Sequence, residues 1–282
     1  MIFNIKNQFI DVMNDCKEFS EYIYGRFKHF DNDNINKNQE VKHLNNYLKF
    51  NKDNVEILVN QKKLLLKNKV LKTDIYPIIN NVIAFLINDE NNIYVHSVTV
   101  SKNNNGVLIL GDFGQGKSTL SKAFENNGYE INSTDQTWIE FNNGKLYQKL
   151  GSSFDIENGK IKYLDIKNCK KNIEIKKIIR IAGICDNGDI CIKENQNKAH
   201  FIKNIATYCN WSYVMPIFTD DVELYNTNLY VKEFWKKINM NNTQCYDVRG
   251  DKNEIVKKVD GYNDWIKWIF KRKFNKGIKR KI

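Results

Sequence analysis

The chain has 282 residues, 41% of them hydrophobic and 12% aromatic, which is enough to bury a sizeable core and excludes a wholly disordered protein. No stretch reaches the roughly 20 apolar residues of a membrane-spanning helix, and the first residues lack the layout of a signal peptide, so we expect a cytoplasmic protein. The net charge of +11 is uneven, because residues 265–282 carry eight basic side chains and no acid, which leaves +3 for the other 264 residues.

We predict that residues 1–90 form a small N-terminal accessory region. Apolar side chains recur at helical spacing over residues 5–30, which predicts a core-facing helix. Residues 31–54 are rich in Asn, Asp and Lys and predict a loop that is interrupted by an apolar segment at 41–50. Three further segments are predicted as regular structure: strands at 55–59 and 64–71, and a short helix or buried strand at 75–88.

Residues 91–260 are predicted to form the main domain, which opens on a β-hairpin. The segment 93–100 is β-branched and aromatic, and an Asn-Asn-Asn-Gly turn connects it to the apolar strand 107–110. His96 therefore lies in a strand that is paired with the strand leading into the next motif. A histidine within a strand is commonly structural, so at this point a structural and a functional role for His96 stay open.

A glycine-rich turn follows the hairpin and matches the pattern G-x-x-x-x-G-K-[ST]. Glycines let successive backbone N–H groups point at phosphate oxygens, and the N-terminus of the following helix adds partial positive charge. Lys117 is predicted to reach the outer phosphates, and the Ser118 hydroxyl to bind Mg²⁺. The predicted nucleotide-binding residues are Gly111, Asp112, Phe113, Gly114, Gln115, Gly116, Lys117, Ser118 and Thr119.

The residues after the turn predict a helix and then a short strand. Leu120, Ala123 and Phe124 share one helical face, and Gly128 is placed to end the helix in a left-handed conformation. Residues 129–133 read as the strand, which delivers Asp135 close to its end, where α/β sheets bind their ligands.

The middle of the chain is predicted to be an antiparallel meander, because three Asn-Gly pairs separate β-type runs. The pairs are 143–144, 158–159 and 187–188. The last of them predicts a hairpin between 178–185 and 190–193. Helices are predicted at 198–209, 228–240 and 262–274.

Residues 261–282 are predicted to be a basic, aromatic C-terminal helix and tail. Trp265, Trp268 and Ile269 share a helical face ahead of the basic cluster. One interpretation is a terminal helix packed on the core with a solvated end. The other is a docking patch for an acidic leader peptide or an anionic membrane surface. The positive charge is the only feature that favours nucleic-acid binding, and nothing else in the sequence supports it. We therefore expect no nucleic-acid partner.

The sequence from His96 to Asp135 resembles the catalytic core of HPr kinase/phosphorylase. More broadly it resembles the HPr-kinase-like serine kinases, some of which modify ribosomally made peptides such as lasso peptides. In that family a histidine opens the strand before the loop, the loop reads Gly-Asp-Ser-Gly-x-Gly-Lys-Ser, and a glycine, a short strand and an Asp-Asp pair follow the helix. The resemblance is good over residues 90–140 and loose over 176–209.

The resemblance implies a fold, roles for four residues and two cofactors. The fold is α/β (mixed α+β), with a P-loop kinase core of the HPr kinase/PEP carboxykinase-like type and antiparallel hairpins. Asp135 falls on the family's base toward the acceptor hydroxyl, His96 on its catalytic-site histidine, and Lys117 on its phosphate-binding lysine. Ser118 falls on the magnesium ligand, with Asp135 as the second ligand, and the cofactors implied are ATP and Mg²⁺.

Three departures separate this chain from true HPr kinases. Thr134 replaces the first aspartate of the pair, Phe113 replaces the usual loop serine, and no Glu-x-Arg-Gly segment lies downstream. A further acidic magnesium ligand is therefore unassigned. The candidates for it are Glu140, Asp155 and Glu157.

The sequence thus predicts a kinase that phosphorylates a serine or threonine hydroxyl of a peptide or small protein. Two alternatives stay open: a nucleotide-binding regulatory protein without transfer activity, and a small-molecule kinase acting on a substrate such as free serine. Transporter-type ATPases are disfavoured because no Ser-Gly-Gly signature is present, and GTPases because no Asn-Lys-x-Asp element follows the loop. The oligomeric state is left open.

Overall fold

The computed structural model describes residues 1–31, 46–67, 69–157, 160–164, 172–185, 190–194, 233–238 and 243–261. These residues form a mixed α+β fold, in which two large sheets and a separate hairpin are covered by helices. Within this part of the chain, no helix has both the length and the apolar character needed to cross a membrane.

The first sheet is built by the N-terminal residues, in the order β1-β2-β3-β4-β5. Strands β2 and β3 are parallel, and the other neighbours are antiparallel. The elements in chain order are β1 (Ile2–Ile5), β2 (Gln8–Asn14), helix α1 (Lys17–Phe27), a 3₁₀ turn (Lys28–Phe30), β3 (Tyr47–Phe50), β4 (Val55–Val59), β5 (Lys62–Leu66) and helix α2 (Lys72–Ile87).

The single helix predicted over residues 5–30 is wrong in its first half. Lys6 and Asn7 both have positive φ, which is the geometry of a two-residue hairpin turn between β1 and β2. In β2 the buried residues Ile10 and Val12 alternate with half-buried ones, so the period there is two. The helical pattern belongs to α1 only. The strand predicted at 64–71 also ends earlier, with β5.

Helix α2 closes the N-terminal core, and the choice left open for residues 75–88 is settled as a helix. Ile75, Ile79, Val82 and Ile83 are fully buried at helical spacing, and every residue from 78 to 84 is buried, so the helix is enclosed on all sides there. The cluster that they join includes residues of α1 and the first sheet together with Tyr94 from later in the chain.

The second sheet carries the glycine turn, in the order β10-β9-β6-β7-β13-β15-β14, with β8 also paired to β6. One face packs on the helices at 117–126 and 252–261, and the other on the helix at 233–238. Its elements, with the separate hairpin β11–β12, are β6 (Asn92–Lys102), β7 (Asn105–Leu110), α3 (Lys117–Asn126), β8 (Glu130–Ser133), β9 (Gln136–Asn142), β10 (Lys145–Gly151), β11 (Phe154–Glu157), β12 (Lys160–Tyr163), β13 (Ile173–Cys185), β14 (Cys191–Glu194), α4 (233–238), β15 (Gln244–Asp251) and α5 (252–261).

The predicted antiparallel meander is wrong at the centre of this sheet. Strand β13 runs parallel to both β7 and β15, and it does not form a hairpin with β14, because β15 lies between them. The physical reason is burial: Ile178, Ile179 and Ile181 place apolar side chains on both faces, as in a central parallel strand. An Asn-Gly pair indicates a tight turn, and it does not determine which strand pairs with which.

Other predicted elements are confirmed where the structure describes them. The β6–β7 hairpin, helix α3 and strand β8 lie as predicted, and Gly128 has a left-handed φ of +82°. The hairpins at the first two Asn-Gly pairs form as β9–β10 and β11–β12. Of the predicted helix 228–240, residues 233–238 are described and helical. The helices predicted at 198–209 and 262–274, and the basic tail, lie outside the described residues.

Candidate active site

His96, the glycine turn and Asp135 come together because β6, which carries His96, lies between two other strands. One of these, β7, leads into the glycine turn, and the other, β9, begins directly after Asp135. Ser97 pairs with Leu110, the last residue of β7, so the glycine turn begins level with His96. On the other side of β6, His96 pairs with Gln136, and the backbone N–H of Ser97 donates to the Asp135 carbonyl at 2.8 Å. The turn, His96 and Asp135 therefore lie side by side at one end of the sheet.

The glycine turn has a backbone that fits phosphate binding. Gly114 and Gly116 have φ of +76° and +94°, a conformation that L-residues rarely adopt. Helix α3 starts directly after Gly116, and its N-terminus has neither a side-chain cap nor an acidic residue in its first turn. Residues 112–115, 118 and 119 are exposed. Within the turn, the Asp112 N–H donates to Oε1 of Gln115 at 2.8 Å and the Gln115 N–H donates to the Asp112 carbonyl at 3.3 Å. An anion would therefore meet chiefly the N–H groups at the start of α3.

The side chain of Lys117 lies across the base of this turn and is only 7% exposed. Its ammonium donates to the carbonyl oxygens of Gly111 at 2.8 Å and Asp112 at 3.1 Å, and it contacts Nε2 of His96 at 2.8 Å. An ammonium group has only donors, so Nε2 of His96 accepts. The proton of the neutral imidazole then resides on Nδ1.

His96 lies between the ammonium of Lys117 and the carboxylate of Asp135. Its Nδ1 lies 3.4 Å from Oδ1 of Asp135, and its ring is 1% exposed. Burial lowers the pKa of His96 below its usual value, the nearby Lys117 charge lowers it further, and Asp135 acts in the opposite direction. The site therefore favours a neutral imidazole that faces the carboxylate with its N–H.

Asp135 is held by its backbone and by a hydrogen bond from Tyr76 to its side chain. Its N–H and that of Gln136 both donate to the Ser152 hydroxyl at 2.8 Å, which pins the corner between β8 and β9. The hydroxyl of Tyr76 donates to Oδ2. Burial and the Asp135 charge raise the pKa of Tyr76 well above its usual value, so this tyrosine stays protonated as a donor. The Asp135 side chain remains 19% exposed.

Sequence reasoning missed Tyr76 and its neighbour Arg26. Both belong to segments that we assigned to an accessory region, Tyr76 within α2 and Arg26 in the last turn of α1. The Arg26 guanidinium lies 4.2 Å from the centroid of the Tyr76 ring. No motif marks either residue, because their proximity to Asp135 arises only when α1 and α2 pack against the second sheet.

Two positions that depart from the HPr kinase pattern have clear structural surroundings. Phe113 is 59% exposed, and its ring centroid lies 4.5 Å from that of His96. The Thr134 hydroxyl donates to the Ser152 carbonyl at 3.2 Å and accepts from the Phe154 N–H at 3.1 Å. Phe113 thus covers part of the histidine, and Thr134 is engaged in holding the turn beside Asp135.

The residues present would hold Mg²⁺ only with few protein ligands. No group of three or more His, Cys, Asp or Glu side chains within the described ranges is arranged to hold a metal. Mg²⁺ commonly takes one or two protein oxygens together with phosphate and water. Ser118 is exposed at the start of α3 and would supply one oxygen, and Asp135 would supply another.

The further acidic ligand remains unassigned. Glu140 forms an ion pair with Lys149 at 3.1 Å and lies four residues along β9 from the level of His96. Asp155 accepts the N–H of Ile156 at 2.8 Å. The Glu157 side chain is outside the described part of the chain.

Comparison with known proteins gives a limited result. No protein-family model and no curated protein sequence matches this chain. Among solved structures, the chain is similar to the Hpr(Ser) kinase/phosphatase from Coxiella burnetii, with a TM-score of 0.36 and 12% sequence identity. The match covers 64% of this chain and 96% of that one.

Proposed function

We propose that this chain is an ATP- and Mg²⁺-dependent kinase. It transfers the γ-phosphoryl group to a serine or threonine hydroxyl of a peptide or small protein, such as the precursor of a ribosomally made peptide. The observation that carries the proposal is the contact chain from the phosphate-loop residue Lys117 through His96 to Asp135. A phosphate-binding loop alone serves many enzymes, but hydroxyl phosphorylation also requires a positioned group that accepts the hydroxyl proton, and Asp135 lies beside the loop to do so.

Each residue then has a defined part in the reaction. Bound ATP with Mg²⁺ supplies the phosphoryl group and neutralises part of its charge. Lys117 and the N–H groups at the start of α3 stabilise negative charge on the phosphate oxygens. The hydroxyl oxygen of the acceptor forms a bond to the γ-phosphorus while the bond between that phosphorus and the ADP oxygen breaks. Asp135 accepts the proton that the hydroxyl releases. A carboxylate has about four lone-pair sites, so the contacts with Tyr76 and His96 leave room for that proton.

Replacing Asp135 by Asn tests this assignment. The amide keeps the shape and cannot act as the base, so we expect the transfer rate to fall about 10²- to 10⁴-fold while nucleotide binding is retained. The measurements are phosphoryl transfer from labelled ATP to serine- and threonine-containing peptides, and thermal stabilisation by a non-hydrolysable ATP analogue.

Glu140→Gln provides the matched control, because it neutralises another half-buried carboxylate of the same sheet, which pairs with Lys149 and lies four residues along β9 from the level of His96. We expect this variant to keep both transfer and nucleotide binding. Full transfer activity in Asp135→Asn would remove Asp135 from the proposed role.

A second candidate function is a regulatory protein that binds nucleotide without transfer. It is favoured by Thr134, which stands where the related kinases have an aspartate and whose hydroxyl is already engaged by Ser152 and Phe154. This candidate predicts stabilisation by nucleotide with no phosphorylated product from any acceptor. A third candidate, a kinase of free serine, is distinguished by mass spectrometry of the product.

A further inference from the structure

Arg26 lies in a cage of three aromatic rings beside the candidate active site. Its guanidinium carbon is 4.2 Å from the ring centroid of Tyr76, 4.8 Å from that of Phe154 and 5.0 Å from that of Tyr22. Phe154 is buried, while Arg26 and the two tyrosines are half-buried. The cage therefore covers the flat faces of the guanidinium and leaves its charge close to the surface.

The hydrogen-bond donors of Arg26 are not used within the described part of the chain. Its Nε is buried without a hydrogen-bond partner, and no described carboxylate forms an ion pair with it. Arg180 shows the contrast, because it donates to both oxygens of Asp247 at 2.7 and 2.9 Å. Burying a cation without such a partner is unfavourable. Stacking on the rings repays part of that cost, and a carboxylate ligand would satisfy the edge donors.

The position of the cage relates it to the reaction centre. Tyr76 forms one wall of the cage and also donates its hydroxyl to Asp135. One phenol ring therefore separates the guanidinium from the carboxylate proposed as the base. A substrate whose hydroxyl meets Asp135 would place its next functional group near Arg26.

We propose that Arg26 and its aromatic cage form a carboxylate-binding subsite for the phosphate acceptor. This inference rests on the proposed kinase function, because it places the subsite relative to Asp135. The shared chemistry is a carboxylate near the reacting hydroxyl. It comes either from an Asp or Glu side chain that flanks serine in a peptide or from the α-carboxylate of a free amino acid.

The surrounding surface favours the acidic peptide. Lys28 lies over the rings of Tyr24 and Tyr163 at 4.9 and 4.8 Å, and Lys72 lies 5.7 Å from the Tyr22 centroid. Lys72 belongs to α2 and pairs with Glu18 at 3.3 Å, so Lys28 is the cation that extends the positive surface beyond Arg26. A peptide with several acidic residues would contact more of this surface than free serine would.

The alternative is that Arg26 serves only structure. A cation in the last turn of α1 interacts favourably with the helix dipole, and its stack holds α1 against Phe154. A purely structural arginine would affect stability equally whatever acceptor is present. A ligand-binding arginine would instead discriminate between acceptors with and without a carboxylate.

The experiment measures binding of fluorescent serine peptides to the full-length protein without nucleotide. Each peptide carries one Asp at a defined position from −3 to +3 of the serine, and its partner carries Asn at the same position. Wild type, Arg26→Gln, Arg26→Lys and the control Lys63→Gln are compared, where Lys63 is an exposed cation of the first sheet that pairs with Glu56. Binding of L-serine is compared with that of serinamide by calorimetry. Thermal stabilisation by an ATP analogue verifies that each variant is folded.

We expect one or more Asp peptides to bind wild type about 10- to 100-fold more tightly than the matched Asn peptides. Arg26→Gln should lose this preference, Arg26→Lys should keep part of it, and the control Lys63→Gln should keep all of it. Binding of L-serine in preference to serinamide, lost in Arg26→Gln, supports the subsite with the small-molecule source instead.

Two results would overturn the subsite: an Arg26→Gln variant that binds every ligand as wild type does, or a wild type that distinguishes neither Asp from Asn nor L-serine from serinamide. Because binding is measured without transfer, these results leave the kinase assay as a separate test. Conversely, an Arg26-dependent preference with no phosphorylated product would retain the subsite and reject the kinase.

Discussion

Lys117 and His96 stabilise each other in only one pattern of protonation. The ammonium donates to Nε2 at 2.8 Å in a buried site, so a doubly protonated imidazole would place two cations in contact. A ligand that attracts the Lys117 ammonium weakens this restraint, which links nucleotide binding to the protonation of His96. Asp135 is affected in turn, because it faces the other nitrogen of the same ring.

This arrangement predicts how stability depends on pH. The pKa of His96 is lowered in the folded state, chiefly by burial, so the unfolded chain takes up a proton at higher pH than the folded one. We expect the His96 contribution to the free energy of unfolding to decrease as pH falls below 6.5 and to level off below the folded pKa. The measurement is urea unfolding of wild type and His96→Asn across pH 5–8.

The two pH profiles should differ in shape, because the variant lacks the titrating group. The other three histidines, His29, His43 and His200, are present in both proteins, so the difference between the two profiles isolates His96. Parallel profiles would mean that His96 has the same pKa in the folded and unfolded states, against the neutral, buried state derived from its contacts.

At this scale the sequence predicted the residues that belong to a local pattern. Lys117 and Ser118 were predicted from the glycine-turn motif, and His96 and Asp135 from their spacing to that motif. In the structure Lys117, His96 and Asp135 lie in contact, and Ser118 follows Lys117 at the start of α3. Their catalytic and metal-binding roles stay predictions. The role of Tyr76 could not be predicted from the sequence, because its contact with Asp135 joins residues 59 positions apart and depends on how α2 packs against the second sheet.

Among the elements, the corner between β8 and β9 is held in place by the end of β10. A Cβ atom at Gly151 would overlap the Asn132 carbonyl and approach Cβ of Ser133 to 2.6 Å. The neighbouring Ser152 accepts both N–H groups of the corner that carries Asp135. The close approach at Gly151 is therefore what lets Ser152 reach them.

Gly151→Ala should accordingly disturb both stability and the site. We expect it to lower the free energy of unfolding by about 1–3 kcal/mol and to reduce phosphoryl transfer, because β10 must move away from the corner. Gly183→Ala is the matched control in a strand, since its Cβ would meet Arg249 at an ordinary 3.6 Å. Chemical denaturation and the transfer assay provide the measurements. Equal, small effects of both substitutions would contradict this account.

Elements were predictable where one local signal decided them. The hairpin β6–β7 and helix α3 have a turn or cap at each end and a single apolar pattern between. Strand β13 was placed in the wrong pairing because its partner β15 lies about 70 residues later, and only the packed sheet brings them together. In β1 and β2, a run of apolar residues fitted two periods, and the left-handed pair at residues 6 and 7 decides between them.

For the molecule as a whole, the first 90 residues and the second sheet share one core. Tyr94 of β6 and Leu150 of β10 are buried in the cluster formed by α1, α2 and the first sheet. The Tyr94 hydroxyl donates to Asn80 at 3.1 Å, and its N–H donates to Asn88 at 2.7 Å. The predicted boundary at residue 90 therefore divides a continuous core, and it also separates Tyr76 from Asp135.

A fragment of residues 91–282 tests whether the catalytic region stands alone. It would expose Tyr94 and Leu150, and burial of each such side chain stabilises the fold by about 1.5–3 kcal/mol. We expect it to lose cooperative unfolding, to bind a hydrophobic dye, and to show no stabilisation by an ATP analogue. A second fragment, residues 1–261, retains the whole cluster and should unfold cooperatively. If the fragment 91–282 unfolded cooperatively and bound nucleotide as the full chain does, the N-terminal region would be an independent accessory unit and Tyr76 dispensable to the site's structure.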